Sequence, residues 1–362
     1  MDHFRKCLRT VHQQRELARI AVDEAHCISE WGHDFRPSFK ELGFFKREFP
    51  DVPLIACTAT ATARVREDVI STLGLDRLTL KVFCTTTSRP NLHFEVRFTS
   101  DEDDQYEHFL SWLRSIHARR RGNPSRSSEL SQRQERLDNV PGIIYTLTRS
   151  STEALAARLT QDGIGAKPYH AGLTPAIKSQ TLENWVKDVE GYDVIVATTA
   201  FGMGIDKMNV RLVVHWEIPK SFEGFYQEAG RAGRDGKAAV CALYYSREGR
   251  DRAANMMARE QEKSRNGSYG SGDGVGKMQQ SMINRAQSLQ ALIAYCEGVD
   301  RCRHRSIAAY FGDDPKEVKC AWACDFCKDA TELKRRKERG LVSEEWMLTQ
   351  RGSGAFQGDE YE

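Results

Sequence analysis

Between residues 142 and 245 the chain repeats one unit: a short, wholly apolar run, a turn, then a stretch with helical spacing. The apolar runs are Ile143–Leu147, Val194–Ala197, Leu212–His215 and Ala239–Tyr244. Runs this short and this uniformly apolar suit strands buried on both faces. Ser150 to about Asp162 and Pro175 to about Lys187 carry the helical period, with Pro175 suited to a first helical turn. Strands that alternate with helices need crossover connections, so the pattern predicts a largely parallel sheet.

A shorter series of the same kind spans residues 16–98. Ile20-Ala21-Val22 and Leu54-Ile55-Ala56-Cys57 read as buried strands, and Phe39, Leu42, Phe45 and Phe49 between them fall at helical spacings. The second strand ends in Thr58-Ala59-Thr60-Ala61, and Thr62 is placed to cap the next helix. Residues 118–140 contain Ala-Arg-Arg-Arg-Gly-Asn-Pro-Ser-Arg-Ser-Ser and read as a disordered or loosely helical insertion. A Gly/Ser-rich stretch at 259–280 reads as a loop. The expected division is a first domain at 1–100, a second at 101–250 with its polar insertion, a flexible linker at 251–280, a small module at 281–330 and a polar tail at 331–362. The basic run Lys334–Arg339 in that tail reads as a solvated, fraying helix end.

A length of 362 residues with 40% hydrophobic composition supports two or three domains. The net charge of +2 argues neither for nor against a nucleic-acid partner, since a basic groove can exist on a balanced protein. No apolar run approaches a membrane span, and the polar N-terminus is unlike a signal peptide, so an intracellular chain is expected. Cys7, Cys27, Cys57, Cys84 and Cys241 are scattered and read as buried thiols. Cys296, Cys302, Cys320, Cys324 and Cys327 cluster near the C-terminus, which in such a chain points to a metal site rather than disulfides.

Three further segments carry chemistry. Asp23-Glu24-Ala25-His26 follows the first strand, where nucleotide-hydrolysing α/β domains place a metal ligand and a water-orienting base. The bland reading is an acidic helix-capping turn. The loop that follows holds Trp31, His33, Phe35 and Arg36, rings able to stack on bases and a guanidinium able to meet phosphate, though a core role suits the rings on composition alone. Phe225-Tyr226-Gln227-Glu228-Ala229-Gly230-Arg231-Ala232-Gly233-Arg234-Asp235-Gly236 sets two arginines three apart, which on a helix would share one face. Such a pair can stabilise a transferring phosphoryl group. In Val194–Asp206 a strand runs into Thr198-Thr199-Ala200-Phe201-Gly202-Met203-Gly204, where glycines permit close approach to phosphate. Cys320-x3-Cys324-x2-Cys327 has metal-ligand spacing.

Together these segments resemble the RecQ family of superfamily 2 DNA helicases, and the zinc spacing is most similar to the family's RecQ 5 branch. The resemblance implies an α/β fold of two RecA-like parallel-sheet domains, the first incomplete, followed by a small helical zinc-binding module. It implies that Asp23 holds Mg²⁺ through water, that Glu24 orients the attacking water, and that His26 couples the site to DNA. Arg234 would be the arginine finger, Arg231 a second phosphate contact and Gln227 a linker between motifs, with Gly204 and Asp206 also at the nucleotide. Trp31, His33, Phe35, Arg36, His170 and Thr198 would contact DNA. Cys302, Cys320, Cys324 and Cys327 would hold a structural Zn²⁺, leaving Cys296 as a core or free thiol. The implied activity is ATP- and Mg²⁺-dependent 3′-to-5′ unwinding of DNA, on single strands and duplex junctions, in nuclear recombination and repair.

One part of that pattern is missing. No glycine precedes Asp23, and Ser271-Gly272-Asp273-Gly274-Val275-Gly276-Lys277-Met278 lacks the first Gly and final Ser/Thr of a P-loop. The expectation is therefore a helicase core that begins within its first motor domain, is inactive alone and exposes apolar sheet there. The alternative from another class is a non-catalytic single-stranded-DNA-binding or regulatory protein. An RNA helicase of the DEAD/DEAH group would share the ATPase motifs, but the aromatic loop and the cysteine cluster argue against it.

Overall fold

The computed structural model describes residues 2–29, 36–99, 105–122, 124–132, 135–202, 205–267, 273–320 and 324–352. It opens with α1 (Asp2–Gln13), β1 (Ile20–Val22), a 3₁₀ turn (Ala25–Ile28), a second 3₁₀ segment (Pro37–Gly43), α2 (Phe44–Glu48), β2 (Leu54–Ala56) and α3 (Ala63–Leu73). β1 and β2 pair in parallel with Ile20 opposite Leu54. The expected cap is in place, since Val65 N–H donates to Thr62 Oγ1 at 3.4 Å, and Gly74 ends α3 in the left-handed region. Phe45, Phe49, Val65 and Leu73 close a small core over these strands. Ile55 on β2 stays 44% exposed.

The larger body is a six-stranded sheet, parallel throughout, in the order β3-β8-β7-β4-β6-β5. Along the chain it is built from β3 (Leu92–Phe98), α4 (Gln105–Arg121), α5 (Pro124–Gln132), β4 (Gly142–Tyr145), α6 (Arg149–Gln161), β5 (Ala166–Tyr169), α7 (Pro175–Val186), β6 (Val194–Ala197), β7 (Leu212–His215), α8 (Phe222–Ala229) and β8 (Ala239–Tyr245). β4, β6 and β7 are buried along their whole length, as their unbroken apolar runs require. Period-two alternation sorts them between two cores. Ile143, Tyr145, Ile195 and Val213 face Trp185, Phe201 and Phe225, whereas Ile144, Val196 and Val214 face Phe109, Leu113, Leu155 and Leu159.

A last group of helices follows: α9 (Arg247–Gly267), α10 (Asp273–Glu297), α11 (Arg303–Phe311), the one-turn α12 (Asp325–Lys328) and α13 (Ala330–Gly352). They lie against β3 rather than apart from the sheet. Cys324 forms a bridge beside Phe94, and Leu292, Tyr295 and Phe311 join the same core as β3.

Several expectations need correction or sharpening. Of the five scattered cysteines only Cys27 and Cys241 are buried, while Cys7, Cys57 and Cys84 are exposed. The boundary near residue 100 falls too late, because Leu92–Phe98 pairs along its full length with β8 and belongs to the second sheet. Of the two readings of the polar insertion at 118–140, disordered or loosely helical, the helical one holds over 118–121 and 124–132. Arg120 there is buried, with its guanidinium donating to Arg136 O at 3.1 Å, and Leu130 is also buried. The linker at 251–280 lies within α9 and α10 apart from residues outside the described set. Its helices are held at both ends by burial of Ala253, Leu289 and Leu292. Composition judged these segments by their own apolar content, but surfaces elsewhere in the chain stabilise them.

Candidate nucleotide and nucleic-acid site

The acidic pair sits where β1 ends. Asp23 Oδ1 accepts the Glu24 amide at 2.8 Å, and Glu24 adopts φ 49 and ψ 42, left-handed for a residue with a side chain. The flanking backbone holds this turn. Ala25 N–H donates to Cys57 O at 2.9 Å and Cys57 N–H to Val22 O at 2.8 Å, extending the β1–β2 ladder past both strands. His26, 1% exposed, places Nδ1 3.0 Å from Thr58 Oγ1 and 3.3 Å from Glu24 Oε2. One imidazole therefore ties the acidic turn to the Thr58-Ala59-Thr60 strand end, where Thr60 N–H also donates to Thr58 Oγ1 at 3.2 Å. Asp23 is exposed and Glu24 half-buried, so the carboxylates face solvent while the histidine behind them is enclosed. Arg36 is half-buried with its guanidinium 5.8 Å from the Phe39 ring centroid. Trp31, His33 and Phe35 lie outside the described residues.

The second group gathers at the carboxyl ends of the large sheet, where open parallel sheets bind ligands. α8 stops at Ala229, so Arg231 and Arg234 lie in the turn beyond it, not on a helical face as their spacing suggested. Glycines at 230 and 233 end the helix there. Arg231 is 8% exposed and donates from Nη1 to Gly202 O, while its Nε is buried without a partner. Arg234 donates from Nη1 to Ile205 O at 2.8 Å and lies 3.6 Å from the exposed Asp206 carboxylate. The arginines thus grip carbonyls on either side of residues 203–204. Gly204 is outside the described residues. Among the described residues no hydrogen bond or ion pair joins Asp23 or Glu24 to Arg231 or Arg234.

The remaining site residues are distributed unevenly. Gln227 is half-buried on α8. Thr198 at the end of β6 donates its amide to Tyr169 O at 3.2 Å and accepts the Ala200 amide at its hydroxyl. His170 is 3% exposed and paired with Glu153 at 3.0 Å, so its ring is enclosed rather than presented to a passing strand. Sequence reasoning missed a buried support. His215 on β7 meets Glu228 on α8 at 2.9 Å and stacks on Tyr145, whose hydroxyl donates to Phe201 O at 3.0 Å. It also missed Lys207, 4% exposed, which donates to Asp188 Oδ1 at 2.8 Å and Val186 O at 3.1 Å and anchors the chain just after Asp206.

Three of the four expected cysteines, Cys302, Cys320 and Cys324, come together, with His304 rather than Cys327 as the fourth close donor. Cys302, His304, Cys320 and Cys324 bring their ligand atoms within 4.8 Å of one another. Cys302 and Cys324 Sγ are 3.9 Å apart, close to the ~3.8 Å edge of a tetrahedron built with ~2.3 Å Zn–S bonds. Cys327 donates its amide to Cys324 Sγ at 3.3 Å, and its thiol hydrogen-bonds within the same group. The thiol of Cys324 hydrogen-bonds to Cys302 and holds the latter's pKa down at about 3, while burial pushes Cys320 up to about 12. A dication held here would take the place of the thiol protons. His304 Nε2 lies 3.2 Å from Arg89 O, a pure acceptor, so Nε2 donates to it, and Nδ1 is buried without a hydrogen-bond partner. The Cys302-x-His304 spacing was the available signal for this donor. Residues present therefore fit a structural Zn²⁺, with Cys302, Cys320 and Cys324 at its centre.

A buried ion pair frames that cluster. Arg303 and Asp325, each next to a ligand cysteine, meet in a fork at 2.8 and 3.1 Å. Asp325 Oδ2 also accepts the Val96 amide at 2.9 Å, which docks the module on β3. Both side chains are at most 3% exposed.

A parallel sheet with paired arginines beyond its strand ends, joined to a cysteine-rich module on its edge, defines the second motor domain of a superfamily 2 helicase with an appended metal site. Comparison with known proteins agrees: residues 127–236 match the helicase conserved C-terminal domain, and residues 250–328 match the RecQ zinc-binding domain. The chain is 37% identical over 96% of its length to mouse ATP-dependent DNA helicase Q5, covering 33% of that protein. It is 37% identical over 91% of its length to Schizosaccharomyces pombe ATP-dependent DNA helicase hus2/rqh1, covering 22% of it, and 34% identical over 90% to Xenopus laevis RecQ-like DNA helicase BLM, covering 21%. The chain belongs to the RecQ family of DNA helicases. It spans about a third or less of the length of these relatives.

Proposed function

We propose that this chain supplies part of an ATP-dependent motor that moves 3′-to-5′ along single-stranded DNA and opens duplexes during nuclear recombination and repair. The observation that carries this is the placement of Arg231 and Arg234 on one glycine-bounded turn beyond the sheet, each engaging a carbonyl beside residues 203–204. In this reading Arg234 turns from Ile205 O and Asp206 toward the γ-phosphate, and Arg231 holds the adjoining loop. Asp23 would bind the Mg²⁺ of ATP through water, and Glu24, fixed by its left-handed turn, would orient the attacking water. His26 would relay the state of that site to the Thr58–Thr60 strand end. Thr198 and Arg36 would grip the strand's phosphates, without sequence readout. Cys302, Cys320, Cys324 and Cys327 would hold Zn²⁺, with His304 beside them.

The test is single-stranded-DNA binding and DNA-stimulated ATP hydrolysis by the purified chain beside Glu24→Gln and Arg234→Ala. Because this sequence carries no G-x-x-x-x-G-K-[ST], the expected result is salt-sensitive DNA binding with little or no hydrolysis. Hydrolysis abolished by Glu24→Gln would place a working site within this chain. Failure to bind single-stranded DNA at any salt concentration would overturn the motor reading.

A further inference from the structure

Thr86–Asn91, the segment between the two sheets, carries none of the motifs above and yet joins three parts of the molecule. Its first contact is with the arginine turn. Arg89 donates to the carbonyls of Gly230 at 3.4 Å, Ala232 at 3.0 Å and Gly233 at 3.0 Å. These are carbonyls at and just past the end of α8, where helical partners run out and the helix dipole favours a cation. Asn91 adds two bonds from Nδ2, to Gly233 O and Lys237 O, both at 2.9 Å.

The second contact is with α8 itself, through Tyr226, whose hydroxyl donates to Thr87 O at 2.7 Å. The third is with the metal module. Asp313, just beyond α11, accepts the Thr87 amide and hydroxyl at 2.7 Å each. His304, two residues from the ligand Cys302, meets Arg89 O at 3.2 Å. Arg89 therefore faces the metal module with its carbonyl and the arginine turn with its guanidinium.

We propose that Thr86–Asn91 is the link through which the metal module sets the position of the arginine turn, with Arg89 as the positioning residue. The proposal deepens the motor reading, since it takes Arg231 and Arg234 as the groups being positioned. The carbonyls that Arg89 holds alternate with those two arginines along the backbone. A guanidinium fork bonded to three of them fixes the turn as a unit, which a single point charge would do less well. When the module shifts, Asp313 and His304 carry Thr87 and Arg89 with them, and the turn follows.

The experiment is amide hydrogen exchange on the zinc-loaded full chain, read at Gly233 and Asp235, whose amides donate across to Val210 O and Met208 O. Arg89→Ala is expected to speed exchange at both by about tenfold or more, with zinc content and the β6 and β7 amides unchanged. Arg89→Lys should restore part of the protection. Asp313→Ala, which leaves every cysteine in place, should also loosen the turn, and should add nothing once Arg89 is alanine. Unchanged exchange at Gly233 and Asp235 in Arg89→Ala, or an Asp313→Ala effect confined to residues 86–88, overturns the link. Nucleotide separates the two ideas. If both variants loosen the turn but ATP affinity and any hydrolysis are untouched, the link stands and the phosphate-binding reading of the arginines falls.

Discussion

Gly233 shows how one residue can be required twice. Its φ of +55 disfavours any side chain, and a Cβ there would stand 2.6 Å from Asn91 Nδ2 and 2.7 Å from Lys237 O. Gly233→Ala is expected to cost about 2–3 kcal/mol in urea unfolding, and a change under about 0.5 kcal/mol would mean the turn yields easily. Glu95 carries a pH-dependent contribution. Burial alone would raise its pKa, but His93, 3.6 Å away, and the Arg97 guanidinium that hydrogen-bonds to it bring it down to about 2 from an ordinary 4.5. A depressed folded-state value means that its stabilisation is complete above pH ~4.5 and is lost as pH falls toward ~2. Glu95→Gln should therefore flatten the stability profile across that window in acid-unfolding curves, and an unchanged slope would exclude the ion pair as its source.

Elements differ in how much of their stability is local. α3 and α7 announce themselves through Thr62 and Pro175, and the structure places both where the residues indicate; Thr174 adds the cap of α7, with Ile177 N–H donating to Thr174 Oγ1 at 3.3 Å. α12 has one turn, capped by Cys324 Sγ and anchored by Asp325, which binds Arg303 and the Val96 amide. Asp325→Ala leaves a buried guanidinium uncompensated and is expected to cost about 3–5 kcal/mol and to speed zinc release to a colorimetric chelator. Removing the exposed Arg77–Glu67 pair, 65% and 56% accessible, should shift stability by less than about 1 kcal/mol. Comparable losses from the two substitutions would contradict the burial argument.

For the whole molecule, the metal module covers an edge. β3 is the last strand of its sheet, and the bridge from Phe94 to Cys324, with the Val96–Asp325 bond, occupies backbone groups that an edge strand would otherwise leave open. Stripping zinc should therefore raise amide exchange along β3 while β4 and β6 in the middle of the sheet stay protected. Uniform loosening of all six strands would show instead that the module supports the entire domain.

The repeating unit and the family were legible from residue order alone. Apolar runs such as Val194–Ala197, bounded by turns and repeated, mark buried strands, and Asp23–His26, the Arg231–Arg234 segment and the cysteine spacing carry the family's pattern in residue type and interval. Those signals are local: a strand period or a ligand spacing is complete within about ten residues. Which strand Leu92–Phe98 pairs with, why the polar stretches 118–132 and 247–267 are helical, and which way Arg231 and Arg234 point all depend on surfaces far away in the chain. So do His304 beside the thiols, Lys207 under the Asp206 loop and Arg89 across the carbonyls of the arginine turn. Tertiary structure decided these because a buried cation or an unpaired carbonyl is satisfied by whichever group the fold brings within three ångströms, and no interval along the chain records that distance.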